Sequence, residues 1–198
     1  MIDLYKITPY LEKVVKQTGY PNLDSLLFLY WLVKNVKPDY VVELGTGYGC
    51  STIFMALALE SGKIFSIDDY RGDSAKSITE PMENLMACGV SNKVELIEGN
   101  AKGVHIVYPP EIVFMDASHN DADLQLEYAI LRLPKDHIIV VDDVFAQDVY
   151  SFVLRLSKMT EYKLCSILKL HAGVAVLITN IDKYFEKVND AIWRAVHD

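Results

Sequence analysis

The chain is predicted to be an α/β protein with a doubly wound, Rossmann-like sheet of seven strands, mostly parallel and finished by a C-terminal antiparallel strand. Three observations predict this. Short apolar runs rich in Val and Ile alternate with stretches of helical character, the first run breaks into a turn with three glycines, and the last two runs are separated by only two residues. Strands buried on both faces read as continuous apolar runs, and their alternation with helices implies parallel strands joined by right-handed crossovers. A two-residue link is too short for a crossover, so the final pair must turn back antiparallel.

Each element follows in order. Before residue 39 the sequence reads as helices: ITPYLEKVVKQT, a break at Gly19-Tyr20-Pro21, then DSLLFLYWLVKNV opened by Asp24 or Ser25 as N-cap and ended by Pro38. Strands are expected at 40–44, 63–68, 93–99, 111–116 and 137–143. Helices are expected at 51–60, 80–89, 121–133 and 146–159. Strands at 162–170 and 173–179 flank His171-Ala172, and a helix over about 181–196 closes the chain. There is no internal repeat, low-complexity segment or linker. Residues 1–198 are therefore read as one domain: an N-terminal helical cap over 1–38, the sheet over 39–180 and a terminal helix over 181–198.

Composition narrows the class. With 198 residues, 51% of them hydrophobic, the chain can bury a sizeable core unaided. A net charge of −8 argues against a broad phosphate-binding surface, so no nucleic-acid partner is expected. Cys50, Cys88 and Cys165 show neither CxxC nor Cys/His spacing, which points away from a disulfide framework or zinc site and towards a reducing, cytoplasmic setting. The run LLFLYWLV is too short to cross a bilayer, and MIDLYKITPY lacks a basic region followed by an apolar core, so no membrane partner is expected.

The stretch Val41-Val42-Glu43-Leu44-Gly45-Thr46-Gly47-Tyr48-Gly49 is a buried strand entering a glycine-rich turn and then a helix. Glycines there permit φ > 0 and close approach of a ligand at the carboxyl end of the sheet. A dinucleotide fingerprint GxGxxG would need glycine where Cys50 stands. The pattern instead has Gly45, Gly47 and Gly49, with an acidic residue two before the first.

This arrangement resembles the first motif of class I S-adenosylmethionine-dependent methyltransferases. ELGTGYGCST is especially similar to the small-molecule O-methyltransferases related to catechol O-methyltransferase. The resemblance implies that the turn, with Thr46 and Ser51, faces the methionine part of S-adenosylmethionine and that Glu43 positions its ammonium group. Asp68, ending the second strand, can accept both ribose hydroxyls. Its neighbour Asp69 is expected to face solvent or cap the following loop, and is retained as a cofactor-side residue. Asn100, with Ala101, stands where the family places an acidic or amide residue near the adenine.

Asp116 ends the fourth predicted strand, and Asp142-Asp143 ends the fifth. A doubly wound sheet brings these ends together, and three converging carboxylates raise one another's pKa unless a cation relieves them. Either a hard divalent ion such as Mg²⁺ or a basic side chain is expected there. The catechol O-methyltransferase group is similar, with Asp-Asn where this chain has Asp-Asp. Asp143 could therefore bind metal directly, bind it through water, or cap the helix near Ala146. Asp116 is read both as a catalytic and as a cofactor-side residue. His119, three residues beyond Asp116, stands where that group carries a lysine base, and an imidazole suits proton transfer near neutral pH.

The resemblance spans about residues 35 to 180. It implies metal-assisted O-methylation of a small hydroxylated acceptor, with Tyr10, Tyr20 or Tyr30 of the cap touching the acceptor and a homodimer as candidate assembly. A cephalosporin-hydroxylase-like tailoring enzyme and a non-catalytic cofactor-binding protein stand as alternatives. His105, His137, His171 and His197 show no partner spacing and are expected at surface or internally satisfied positions.

Overall fold

A computed structural model of the protein describes residues 23–72, 75–131, 133–170 and 172–197. Helix α1 (Leu23–Val36) leads into β1 (Tyr40–Leu44), α2 (Cys50–Ala58), β2 (Lys63–Asp68), α3 (Thr79–Ala87), a 3₁₀ turn at Ser91–Lys93 and β3 (Val94–Glu98). There follow β4 (Ile112–Met115), α4 (Asp121–Ile130), β5 (Ile138–Val141), α5 (Gln147–Ser157), β6 (Lys163–Leu168), β7 (Val174–Ile178) and α6 (Ile181–His197). Every expected strand is present, and element ends differ from the sequence reading by no more than three residues, where end fraying dominates.

The seven strands form one sheet in the order β3-β2-β1-β4-β5-β7-β6. Strands β1 to β5 pair in parallel, whereas β7 pairs antiparallel with both β5 and β6. The strands are added outward from β1 in two directions, first to β2 and β3 and then to β4 and β5 on the other side. The crevice at that switch point, above the carboxyl ends, is where such sheets take ligands.

The period-2 alternation of the strands sorts the core into two layers. Val41, Ile64, Ile112, Ile138 and Val140 face α1, α2 and α6, where Phe28, Leu32, Phe54 and Tyr184 are buried. Val42, Leu44, Val113, Met115 and Val141 face the other layer, with Leu124 of α4 and Val149, Phe152 and Val153 of α5. The β3–β4 connection, residues 99–111, contains no helix. It covers the sheet with Ala101 and Ile106 and lays Tyr108 on Tyr40 and Phe65, at centroid distances of 4.8 and 5.5 Å in near-parallel stacks. An aromatic stack thus occupies ground that a crossover helix would otherwise shield.

Of the expected cap over 1–38, α1 is the described part. It packs against α2 and α6, and only Ser25, Leu26 and Leu29 reach the cleft. Asp24 sits in its first turn, where a carboxylate favours the helix dipole. Tyr30, expected as an acceptor contact, is instead buried in the core edge-on to Trp31. Tyr10 and Tyr20 lie outside the described residues, as does His171. Among the described residues no helix is long and apolar enough to cross a membrane.

Candidate active site

A cleft of about 850 Å³ opens over the carboxyl ends of β1, β2 and β4. Its floor is the turn after β1. Gly45 has φ +96°, and a Cβ there would stand 2.5 Å from the main-chain oxygen of Asp116, so only glycine lets this turn lie against the end of β4. Gly49, at φ +84°, precedes the first residue of α2. Its N–H donates to the Thr46 carbonyl at 2.8 Å, which closes the turn.

Glu43 lies beneath this turn at 0% exposure and outside the cleft wall. Its carboxylate accepts from the hydroxyls of Thr52 and Ser66, both at 2.5 Å, and from Ser51. Burial pushes its pKa from 4.5 up to about 7, against the opposing pull of those three hydroxyls. Ser51 does line the cleft, so Glu43 reaches the ligand space through that hydroxyl.

Most of the expected cofactor residues converge here, whereas Glu43 and Gly49 do not line the cleft. Gly45, Thr46, Gly47, Ser51, Asp68, Asp69, Asn100, Ala101 and Asp116 all line the cleft. Asp68 Oδ2 accepts from the Gly47 N–H at 2.8 Å, and its Oδ1 accepts from the Tyr70 N–H at 2.7 Å. The ribose candidate therefore also ties the glycine turn to the end of β2. Asp69 caps its own loop, accepting from the Arg71 N–H at 3.1 Å, and accepts from the Asn100 amide at 3.3 Å.

The other end of the cleft carries the acids. The Asp116 N–H continues the sheet to Leu44, and the Asp142 N–H continues it to Met115, which sets the two residues side by side one step beyond the strands. Asp143 takes a left-handed φ of 55°, which Asp tolerates better than most residues. The turn is pinned by Val144 and Phe145 donating to Gly173 and Ala172. The N–H of Ala146 goes to the main-chain carbonyl of Asp143, and the side-chain carboxylate is directed to His119 instead, Nε2 to Oδ2, at 2.9 Å. Ligand atoms of Asp116, His119 and Asp143 all lie within 4.8 Å of one another. Asp142 lines the cleft beside them. Burial, then the charges of Asp142 and Asp143, hold the Asp116 carboxyl well above the usual carboxylate range. The hydrogen bond that His119 donates to the Asp143 carboxylate raises the His119 pKa.

Sequence reading missed Ser25, Leu26 and Leu29 of α1, and Lys102, Asp123 and Glu127. One signal was present for Glu127: Leu124, Glu127, Tyr128 and Leu131 form a helical stripe with an acid at an otherwise apolar position. His137, by contrast, is the satisfied core histidine expected, bonded to Pro134 O at 2.6 Å and Tyr162 OH at 2.7 Å.

The family profile described as "Methyltransferase domain" matches residues 42–144, over half of the chain and the whole stretch from the glycine turn to the paired acids. The chain belongs to this methyltransferase family. A catechol O-methyltransferase of Mycobacterium tuberculosis is 30% identical to the methyltransferase chain over 121 residues, covering 59% of it and 53% of that protein. The match thus spans about half the length of that curated relative.

Among solved structures, a methyltransferase from Geobacter sulfurreducens superposes with a TM-score of 0.70 at 22% identity, covering 90% of each chain. The O-methyltransferase from Bacillus cereus, in complex with SAH, gives 0.70 at 16% identity, covering 89% of this chain and 90% of that one. The O-methyltransferase TomG from Streptomyces achromogenes, involved in tomaymycin synthesis and in complex with SAM, gives 0.68 at 20% identity, covering 90% and 95%. At these identities the likeness carries the fold. It is the class I methyltransferase fold that ELGTGYGCST implied.

Proposed function

We propose that this chain transfers a methyl group from S-adenosylmethionine to an oxygen of a small hydroxylated acceptor, with a divalent ion at the paired acids. The observation that carries this reading is one cleft holding both the glycine turn with Asp68 and the cluster Asp116, His119 and Asp143. The relatives named above as O-methyltransferases support it, and they favour it over a tailoring hydroxylase or a non-catalytic binder.

The residues fit both groups. The turn at Gly45 and Gly47 leaves backbone close to the cleft, Ser51 relays Glu43 to it, and Asp68 offers a carboxylate to a ribose. Bound there, S-adenosylmethionine supplies a sulfonium methyl for in-line transfer. At the other end, mutually repelling carboxylates on Asp116, Asp142 and Asp143 suit a divalent cation. Such an ion, when bound, supplies a Lewis acid that lowers the pKa of an acceptor hydroxyl.

His119 handles the proton. Its Nε2–H donates to Asp143 Oδ2, which leaves the Nδ1 lone pair to accept the acceptor's proton. Asp143 thus has two oxygens for two tasks, Oδ2 to orient the imidazole and Oδ1 to reach an ion. A second reading, His119 as a direct ligand, rests on its ring nitrogen lying within 4.8 Å of both carboxylates.

Calorimetry with S-adenosylhomocysteine and NAD, followed by methyl transfer to a catechol in Mg²⁺ or Mn²⁺, tests the proposal. The expected result is binding of the first ligand, none of the second, and turnover that chelation suppresses. Binding of NAD alone would overturn it.

A further inference from the structure

Glu127, on the third turn of α4, lines the cleft yet is only 1% exposed. The Ser118 hydroxyl donates to its Oε1, whereas Oε2 is buried with no hydrogen-bond partner among the described residues. A buried carboxyl oxygen without a donor is destabilising, so a retained one calls for a ligand that supplies the donor.

The surrounding wall does not supply it. Lys102 Nζ is paired with Asp123 at 2.8 Å, and His119 Nε2 with Asp143 at 2.9 Å. This part of the cleft is walled by the loops that follow β3 and β4, Asn100 to Lys102 on one side and Ala117 and Ser118 on the other, and the Lys102–Asp123 pair ties the first loop to α4. The Asn100 amide donates to Asp69 at 3.3 Å, next to the Asp68 carboxylate that faces the ribose on the proposed reading. On the reading of the cleft as an S-adenosylmethionine site, on which this inference rests, that is where the nucleobase must lie.

We infer that Glu127 is the residue that selects the base of the cofactor, its Oε2 accepting a hydrogen bond from the exocyclic amine of adenine. Ser118 holds the other oxygen and so fixes which one faces the base. A site built to accept from an amine discriminates against an analogue that presents a carbonyl there, because two acceptors then face each other.

The test compares S-adenosylhomocysteine with S-inosylhomocysteine, which replaces that amine with a carbonyl oxygen. Both are titrated calorimetrically into the full chain and into Glu127→Gln at about pH 8, well above the ordinary carboxylate range because burial raises the Glu127 carboxyl. The wild type is expected to prefer the adenine compound by about ten- to hundredfold. An amide can accept from an amine or donate to a carbonyl, so Glu127→Gln should bring the two affinities within about threefold. A merely structural role would weaken both ligands equally and leave the ratio unchanged. That outcome, or a wild type with no preference, overturns the assignment while leaving the methyltransferase reading intact. A wild type that binds neither compound overturns both. Should Glu127→Gln fold poorly, the wild-type ratio and that of the milder Glu127→Asp still decide, since a shortened acid that keeps the full preference counts against the assignment.

Discussion

At the scale of single residues, the site is defined by which oxygen each carboxylate commits. Glu43 gives its oxygens to three hydroxyls, Asp68 to the two main-chain N–H groups of Gly47 and Tyr70, and Asp143 gives Oδ2 to His119. The last commitment separates the two roles open to His119. If it is the base, His119→Ala should leave S-adenosylhomocysteine affinity unchanged and lower methyl-transfer rate by about 10²–10⁴-fold. The loss should persist at saturating Mg²⁺ or Mn²⁺ and shrink as pH rises and the acceptor hydroxyl ionises unaided. If it is only a ligand, raising the metal concentration should restore the rate. Initial rates against metal concentration at two pH values distinguish these outcomes.

At the scale of elements, the shape of the cleft depends on how closely the turn after β1 lies against the end of β4. The main chain of Asp116 occupies the space where a Cβ on Gly45 would stand, and this neighbour is backbone that cannot swing aside. Gly45→Ala should therefore destabilise the protein by several kcal/mol, as a sum of positive-φ strain and a displaced Asp116. The same change at Gly103, whose Cβ would meet nothing closer than 3.8 Å, should be nearly neutral. Denaturant midpoints of the two variants check the contrast.

Elements and strand ends were legible because burial on both faces and glycine placement are local signals. Val41-Val42 and Ile138 to Val141 could hardly be anything but central strands, and Asp68, Asp116 and Asp142 follow from where those strands stop. Two things were not legible. Glu43 sits under the turn rather than facing the cleft, because Ser51, Thr52 and Ser66 arrive from α2 and β2 to surround it, a convergence that no local spacing encodes. Likewise α1 has aromatic residues that suit either a cap or a core, and only its packing against α6 decides that Tyr30 is core.

At the scale of the whole molecule, the buried acids make stability depend on pH in a direction that metal should reverse. The Glu43 pKa is 4.5 ordinarily and about 7 in the fold, so between those values the folded chain holds a proton that the unfolded chain has lost. Its contribution is complete below about pH 4.5 and disappears as pH rises through about 7, a change of about 3 kcal/mol. Asp116, Glu127 and His119 are raised as well and act in the same direction. The depressed His137 opposes them, gaining stability as pH rises towards the ordinary histidine value. The lowered Glu60, exposed, and Asp123, half-buried beside Lys102, are solvent-screened pairs of small effect. In chelator, the thermal midpoint should therefore fall from pH 5.5 to pH 8, and Glu43→Gln should flatten that fall, because an amide keeps the hydroxyl contacts without titrating. A divalent ion binds the deprotonated carboxylates, so millimolar Mg²⁺ or Mn²⁺ should raise the midpoint at pH 8 and do little at pH 5.5. Asp116→Asn should remove most of the metal gain while leaving the chelated protein as stable or more so, since it deletes one member of a repelling cluster. Scanning calorimetry of wild type, Glu43→Gln and Asp116→Asn at the two pH values, with chelator or metal, separates the two acids. A wild type whose midpoint at pH 8 ignores both ions would remove the metal from the proposed mechanism and leave His119 with Asp143 as the activating pair.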